Sequence, residues 1–162
     1  MKNILLPTDL SLSSLYPIHE ICQQQAAGEK CNIYLIHTLD MPSGIMDLLF
    51  HQEKKPYKLI PDGFLEALEM MRRKYASAIN LLSFEFVWSN SRTILRNYCH
   101  ARDVQAIYIL KGHQYKQTLP QSVSCIPVLQ KCKIPVIYAT RTGKDNFGTL
   151  TTLLYREERM HA

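Results

Sequence analysis

The chain begins with an apolar run that ends abruptly in small polar residues. Residues 4–6 read Ile-Leu-Leu, and Pro7, Thr8 and Asp9 follow before serines at 11, 13 and 14. A buried strand that ends in polar groups just before a helix forms the lip of the ligand crevice in open α/β sheets. This start predicts an open parallel sheet, and Asp9 is the first candidate site residue.

The same alternation of apolar strand and amphipathic helix continues along the chain. Strands are predicted at residues 4–6, 32–39, 84–88, 106–110 and 135–139. Helices are predicted over residues 13–27, from 62 or 63 to 82, over 93–100, and from 120 or 122 to about 132. Five strands with helices between them predict a doubly wound parallel α/β sheet with helices on both faces.

A length of 162 residues suits one hydrophobic core, so we expect a single domain over residues 1–140. Residues 41–61 form an enlarged linker with three prolines, which predicts either a helical turn or a flap. Residues 141–162 depart from the strand and helix rhythm and are predicted to be a separate tail, either packed on a neighbour or mobile.

Composition excludes several classes of protein. No apolar run approaches the roughly 20 residues that a membrane span needs, and the start of the chain does not resemble a signal peptide. We therefore expect a cytoplasmic protein without a membrane partner. The five cysteines form no C-x-x-C pair, which favours buried free thiols over a disulfide framework.

The net charge of +5 raises the question of an anionic partner. The cations form short groups at residues 54–55, 72–74, and 131 with 133, and none of these is a long basic run interleaved with aromatic residues. We interpret them as solvated faces, and nucleic acid is not expected as a partner.

Four segments together resemble the universal stress protein family. They read I-L-L-P-T-D-L-S, I-Y-L-I-H-T-L-D, I-Y-I-L-K-G-H and I-P-V-I-Y-A-T, and the resemblance spans residues 1–140 apart from the linker. It implies a five-stranded sheet of order 3-2-1-4-5, in which strands one and four are neighbours. The carboxyl ends of those two strands would then form the crevice, with Asp9 and Gly112 at its edge.

Nucleotide-binding members of that family carry a glycine-rich loop after the fourth strand, whose backbone N–H groups approach the phosphates. Aligning this chain with that motif places Lys111, Gln114 and Gln121 at the three glycine positions, whereas Ser122 and Val123 match the closing pair. A Cβ at these positions disfavours the required backbone by about 1 kcal/mol per residue. We expect ATP binding to be weak or lost.

The adenosine half of the site is better preserved in the resemblance. Family members use the Pro-Thr-Asp turn and the end of strand two for base and ribose, and Lys111 adds a cation that could meet a phosphate. The candidate ligand-binding residues are Pro7, Thr8, Asp9, Thr38, Lys111, Gly112, His113, Ser122 and Val123.

Each candidate also has a structural role open to it. Asp9 could be a turn or capping carboxylate, Ser122 could cap the next helix, and Gly112 could supply a positive φ. His37 is interpreted as a packed histidine, because no second metal ligand lies at a suitable spacing. No carboxylate partner can be named for His113, so we predict no catalytic residue and no metal site.

The resemblance favours a non-enzymatic stress-response module without a cofactor. Family members commonly pair through the fifth strand, so we expect a homodimer through the segment from Pro135 to Ala139, reinforced by the tail, and an unidentified protein partner. The alternative is a small-molecule or adenine nucleotide sensor, or a slow nucleotide hydrolase, that binds ATP or AMP with Asp9, Lys111 and His113 under the linker.

Overall fold

A five-stranded parallel sheet forms the centre of the molecule. The computed structural model describes residues 1–40 and 56–140, so the predictions for the rest of the linker and for the tail lie outside the described residues. The strands are β1 (Lys2–Pro7), β2 (Cys31–Thr38), β3 (Ile79–Val87), β4 (Ala106–Leu110) and β5 (Val136–Ala139). The helices are α1 (Tyr16–Gln23), α2 (Asp62–Lys74), α3 (Arg92–Ala101) and α4 (Ile126–Leu129), with 3-10 turns at Leu12–Leu15 and Pro56–Leu59.

The strand order is β3-β2-β1-β4-β5, and all four pairings are parallel. This confirms the predicted fold class and order. Because β1 pairs with both β2 and β4, the connections that leave these strands diverge to opposite sides of the sheet. The carboxyl ends of β1 and β4 are the place where such sheets hold ligands.

Side chains alternate between two cores along the strands. Ile4 and Leu6 face a first core with α1 and α2, and Leu5 faces a second core with α3 and α4. We call these the first and second faces of the sheet. Covering both faces explains why β4 is fully buried and why its apolar run predicted its bounds correctly.

The helix predicted to reach residue 82 ends at Lys74, and β3 begins at Ile79. The helix was predicted too long, because Ile79 and Leu82 stand at the spacing expected of apolar residues on one side of a helix. Ile79 instead pairs with Cys31 on β2, and Arg72 of the helix donates to the carbonyl of Leu82 at 2.9 Å. Pairing with β2 therefore overrides the helical pattern after residue 78.

The helix predicted from residue 120 or 122 to residue 132 covers only Ile126–Leu129. Ser122 forms an antiparallel bridge with Leu39, and the N–H of Val123 donates to the carbonyl of Thr38 at 3.1 Å. These bonds hold the segment before residue 125 across the end of β2. Ser122 consequently does not cap the helix, which begins after Cys125.

Residues 13–27, predicted as one helix, divide into the 3-10 turn Leu12–Leu15 and helix α1, which ends at Gln23. The five cysteines are free and buried, as predicted. Across residues 1–40 and 56–140, no helix is long and apolar enough to cross a membrane. No group of three or more potential metal ligands is found in the same residues.

Candidate functional site

Asp9 lies just beyond β1, with 1% of its surface exposed. Its Oδ1 atom accepts a hydrogen bond from the N–H of Ser11 at 3.0 Å and a second one from the Ser11 hydroxyl. Its Oδ2 atom lies 2.8 Å from Nε2 of His113 and accepts the N–H of Lys116 at 2.9 Å. Both carboxylate oxygens are therefore bonded to the protein's own chain, and the Ser11 contact is the turn role that the sequence offered as an alternative.

The surroundings of Asp9 stabilise its ionised form. Burial alone would raise the pKa of this carboxyl group, but the hydrogen bonds from His113, Ser11 and the Lys116 N–H outweigh burial and lower the pKa to about 2. The carboxylate is thus charged at neutral pH and has little affinity for a proton.

His113 has the carboxylate partner that could not be named from the sequence. It belongs to the loop after β4, whereas Asp9 belongs to the loop after β1, and these neighbouring strands end at the same edge of the sheet. The His113 side chain is 14% exposed. The adjacency of β1 and β4 was the signal that could have identified this pair.

His37, in β2, is fully buried and holds two elements together. Its Nδ1 atom lies 2.7 Å from the carbonyl of Thr8, and its Nε2 atom lies 2.7 Å from the Ser122 hydroxyl. Since a carbonyl only accepts, Nδ1 carries the hydrogen, and Nε2 of the neutral ring accepts from Ser122. Burial lowers the pKa of His37, which favours this neutral form.

The remaining hydroxyls of the site also bond within the protein. Thr8 Oγ1 lies 2.6 Å from Ser14 Oγ, and it accepts the N–H of Leu10 at 3.0 Å. The Thr38 hydroxyl donates to the carbonyl of Val123, and the N–H of Val123 donates to the carbonyl of Thr38. These side chains form a network that joins the ends of β1 and β2 to the segment after β4.

Residues 111–124, which we call the crossing loop, cover the carboxyl ends of β1 and β2. The ring of Tyr115 stacks on His37, with centroids 6.3 Å apart and planes 14° apart. The Thr118 hydroxyl donates to the backbone carbonyl of Asp9. Tyr115, Lys116 and Thr118 were missed from the sequence, because a backbone N–H contact such as that of Lys116 carries no residue signature.

The space left beneath the crossing loop is a cavity of about 20 Å³. It is lined by Pro7, Thr8, Asp9, Ser14, Thr38, Ile109, Leu110, His113, Tyr115, Cys125 and Ile126. A cavity of this size is close to that of a single water, whereas pockets for drug-sized ligands span about 300–1,000 Å³. Among the described residues, the protein's own side chains therefore fill this part of the crevice.

Two of the predicted site residues lie apart from this network. Lys111 and Gly112 are exposed on the turn that follows β4, and neither lines the cavity. Gly112 has a φ of +74°, and a Cβ there would meet no atom within 4 Å, so its role is the turn conformation. Thr8, Asp9, Thr38, His113, Ser122 and Val123 belong to the network, and Pro7 lines the cavity.

Comparison with known proteins identifies relatives of this fold. No family model and no curated protein matches the chain. Among solved structures, the chain is similar to universal stress protein UspA from Lactobacillus plantarum, with a TM-score of 0.52 and 14% identity over 85% of this chain and 96% of that one.

The hypothetical proteins PH0823 and MJ0577 are also similar, each with a TM-score of 0.54. PH0823 is 18% identical over 90% of this chain and 99% of its own. MJ0577 is 17% identical over 88% of this chain and 98% of its own. At these identities the likeness establishes the fold alone.

Proposed function

We propose that this chain, which has the fold of the universal stress proteins, is a non-enzymatic stress-response module in which ATP binding is weak or lost. The proposal rests on one observation: side chains and backbone groups of the protein itself occupy the crevice. Both oxygens of Asp9 are bonded to Ser11, His113 and Lys116, and Tyr115 stacks where the crevice would otherwise open. A nucleotide that bound Asp9 beneath the crossing loop would have to compete with these contacts.

The electrostatics of Asp9 support the non-enzymatic part of this proposal. A general base works best with a pKa near the operating pH, whereas the pKa of Asp9 is about 2. The adjacent His113 has its Nε2 atom bound to that carboxylate. The Asp9 carboxylate is therefore not poised to act as the base for nucleotide hydrolysis.

The two edges of the sheet differ, which supports a homodimer through β5. At the β3 edge, the Tyr57 hydroxyl accepts the N–H of Phe86 at 3.3 Å, and Arg72 donates to the carbonyl of Leu82. At the other edge, Ile107 and Lys111 donate to the carbonyls of residues 135 and 139, so the backbone groups of residues 136 and 138 point away from β4. Within residues 1–40 and 56–140 no strand pairs with this side of β5, and an edge of this kind suits pairing with a second copy.

Calorimetric titration of the purified protein with ATP, ADP and AMP tests the crevice. We expect no heat of binding at micromolar ligand. Micromolar binding that is lost in Asp9→Ala and kept in a control variant of an exposed carboxylate, Asp62→Ala, would overturn the proposal. That result would instead support the nucleotide sensor, with the crossing loop moving aside to admit the ligand.

A further inference from the structure

The charge of the chain is concentrated in its second half. Between residues 86 and 140, Asp103 is the sole acidic residue. The same stretch contains seven cationic residues: Arg92, Arg96, Arg102, Lys111, Lys116, Lys131 and Lys133. This stretch supplies α3, α4 and the residues just after each helix, so the second face of the sheet carries most of the excess positive charge.

Four of these cations belong to α3 and to the segment just after α4, which pack against each other. Leu95 and Cys99 of α3 share the second core with Leu129 and Cys132. Arg92 and Arg96 are one helical turn apart on α3, which places them on one side of the helix. Lys131 and Lys133 flank the buried Cys132 and are exposed. We call Arg92, Arg96, Lys131 and Lys133 the basic face.

The pKa of Cys132 supports this proximity. Burial raises the pKa of the thiol, and the guanidinium groups of Arg92 and Arg96 act in the opposite direction. Both arginines, although they belong to α3, are therefore near the segment that carries Lys131 and Lys133.

Among the residues that the structure describes, no ion pair neutralises the basic face. Within residues 1–40 and 56–140, none of its four cations is paired with a carboxylate, whereas Arg72 pairs with Glu69 and Arg102 with Glu85. Clustered like charges repel one another, and this repulsion opposes the compact state. A bound anion would relieve it.

The residues around the four cations indicate which kind of anion fits. Thr93, Asn97 and His100 are exposed polar neighbours on the same helix, and the exposed apolar Ile94 lies two residues from each arginine, on another side of the helix. Protein interfaces have an apolar centre, whereas interfaces with nucleic acid are polar and strongly positive. Arginine also forms bidentate hydrogen bonds with phosphate. We propose that the basic face binds the phosphate backbone of nucleic acid, independently of the crevice.

This proposal departs from the expectation drawn from the sequence, which rested on the scatter of cations along the chain. The fold brings Arg92 and Arg96 of α3 beside one of those groups, Lys131 with Lys133. The sequence contains no aromatic run among them, and the proposal accordingly concerns the backbone of the nucleic acid and no particular base sequence.

Salt dependence gives a test that needs no variant. If four cations each neutralise one phosphate, the logarithm of the binding constant falls with the logarithm of salt concentration with a slope of about −3.6 on duplex DNA. Affinity would then drop roughly 100-fold between about 50 and 200 mM salt. Fluorescence anisotropy of the full chain with a labelled duplex and a labelled single strand of the same sequence measures both values.

A matched pair of double variants localises the binding. Arg92→Gln with Arg96→Gln removes two charges from the basic face, and Lys30→Gln with Lys58→Gln removes two exposed charges elsewhere. We expect the first pair to weaken binding at least tenfold and to reduce the salt slope by about 2. The control pair should change binding less than threefold. Thermal melting establishes that both proteins are folded.

Three results would overturn the proposal. The first is the absence of binding by the wild-type chain at low salt. The second is equal weakening in both double variants, which would indicate a response to net charge alone. The third is binding of a polyglutamate peptide as tight as that of DNA and equally sensitive to the arginine substitutions, which would identify an acidic protein surface as the partner.

Discussion

The Nε2 atom of His113 lies 2.8 Å from Oδ2 of Asp9, although 104 residues separate them in the chain. The contact joins the crossing loop to the end of β1, and the N–H of Lys116 binds the same oxygen. Asp9 therefore fixes the loop that fills the crevice, and the position of that loop depends on a charged, buried carboxylate.

Replacing Asp9 with Asn tests this dependence. The amide has the size of the carboxylate but only one accepting atom, so its NH₂ group faces either Ser11 or the Lys116 N–H. We expect the free energy of unfolding to fall by about 2–4 kcal/mol, as is typical when a buried hydrogen-bonded charge loses its partners. Urea denaturation measures the change. The exposed Asp62→Asn serves as control, and equal stability of both variants would contradict the assignment.

Acid titration of Asp9 should be visible in the stability of the wild-type protein. The native pKa of about 2 lies below the ordinary value of 3.8, so the native state binds fewer protons than the unfolded state as pH falls. The contribution is complete above about pH 4 and is lost as pH falls toward 2, amounting to about 2 kcal/mol. Denaturation curves across this range should show a smaller loss in Asp9→Asn than in the wild type.

Protonation of His37 should cause a second loss of stability, at a higher pH than that of Asp9. Burial lowers its native pKa below 6.5, so protons bind preferentially to the unfolded state once pH falls below that value. We expect the free energy of unfolding to decrease between about pH 7 and pH 5, and His37→Gln should flatten this part of the curve. The exposed His100→Gln is the matched control and should keep the wild-type dependence. A wild-type curve that is flat over this range would be inconsistent with a buried neutral ring.

The ring of Tyr115 is the largest loop group that lines the cavity, so removing it should open the crevice. We expect Tyr115→Ala to destabilise the protein by about 2–4 kcal/mol, because the lost side chain leaves a void against His37. Adenosine should then raise the melting temperature of the variant but not that of the wild type. Tyr57→Ala, which removes a ring from another part of the molecule, should gain no response to adenosine. A response in the wild type would show that the crossing loop does not exclude ligands.

The family resemblance implied the strand order, and the hydrophobic pattern predicted the elements that have a clear apolar signal. β4 was predicted with its correct bounds because all five of its residues are apolar and buried. The end of α2 was missed because Ile79 and Leu82 fit both a helical and a strand period. The fixed position of Ser122 was missed because it depends on pairing with Leu39, a contact between residues far apart in sequence.

Several residues of the site could likewise be predicted from the sequence, whereas the contacts between them could not. Asp9 and His113 were both selected as candidates, yet their contact follows from the adjacency of β1 and β4 and not from any spacing in the sequence. The bulky residues at the glycine positions predicted poor phosphate binding. They did not predict that the crossing loop would supply its own donors to Asp9, since the N–H of Lys116 would serve equally from almost any residue type.

The proposed dimer can be tested at Tyr138, whose backbone N–H points away from β4. Tyr138→Pro removes that donor without breaking the pairing between β4 and β5, because the bonds to β4 come from residues 135, 137 and 139. Tyr138→Thr removes the same ring and keeps the N–H, so it is the matched control. We expect sedimentation equilibrium to show a dimer for the wild type and for Tyr138→Thr, and at least a tenfold weaker dimer for Tyr138→Pro. Equal dissociation of both variants would assign the contact to the ring, and a monomeric wild type would exclude pairing through β5.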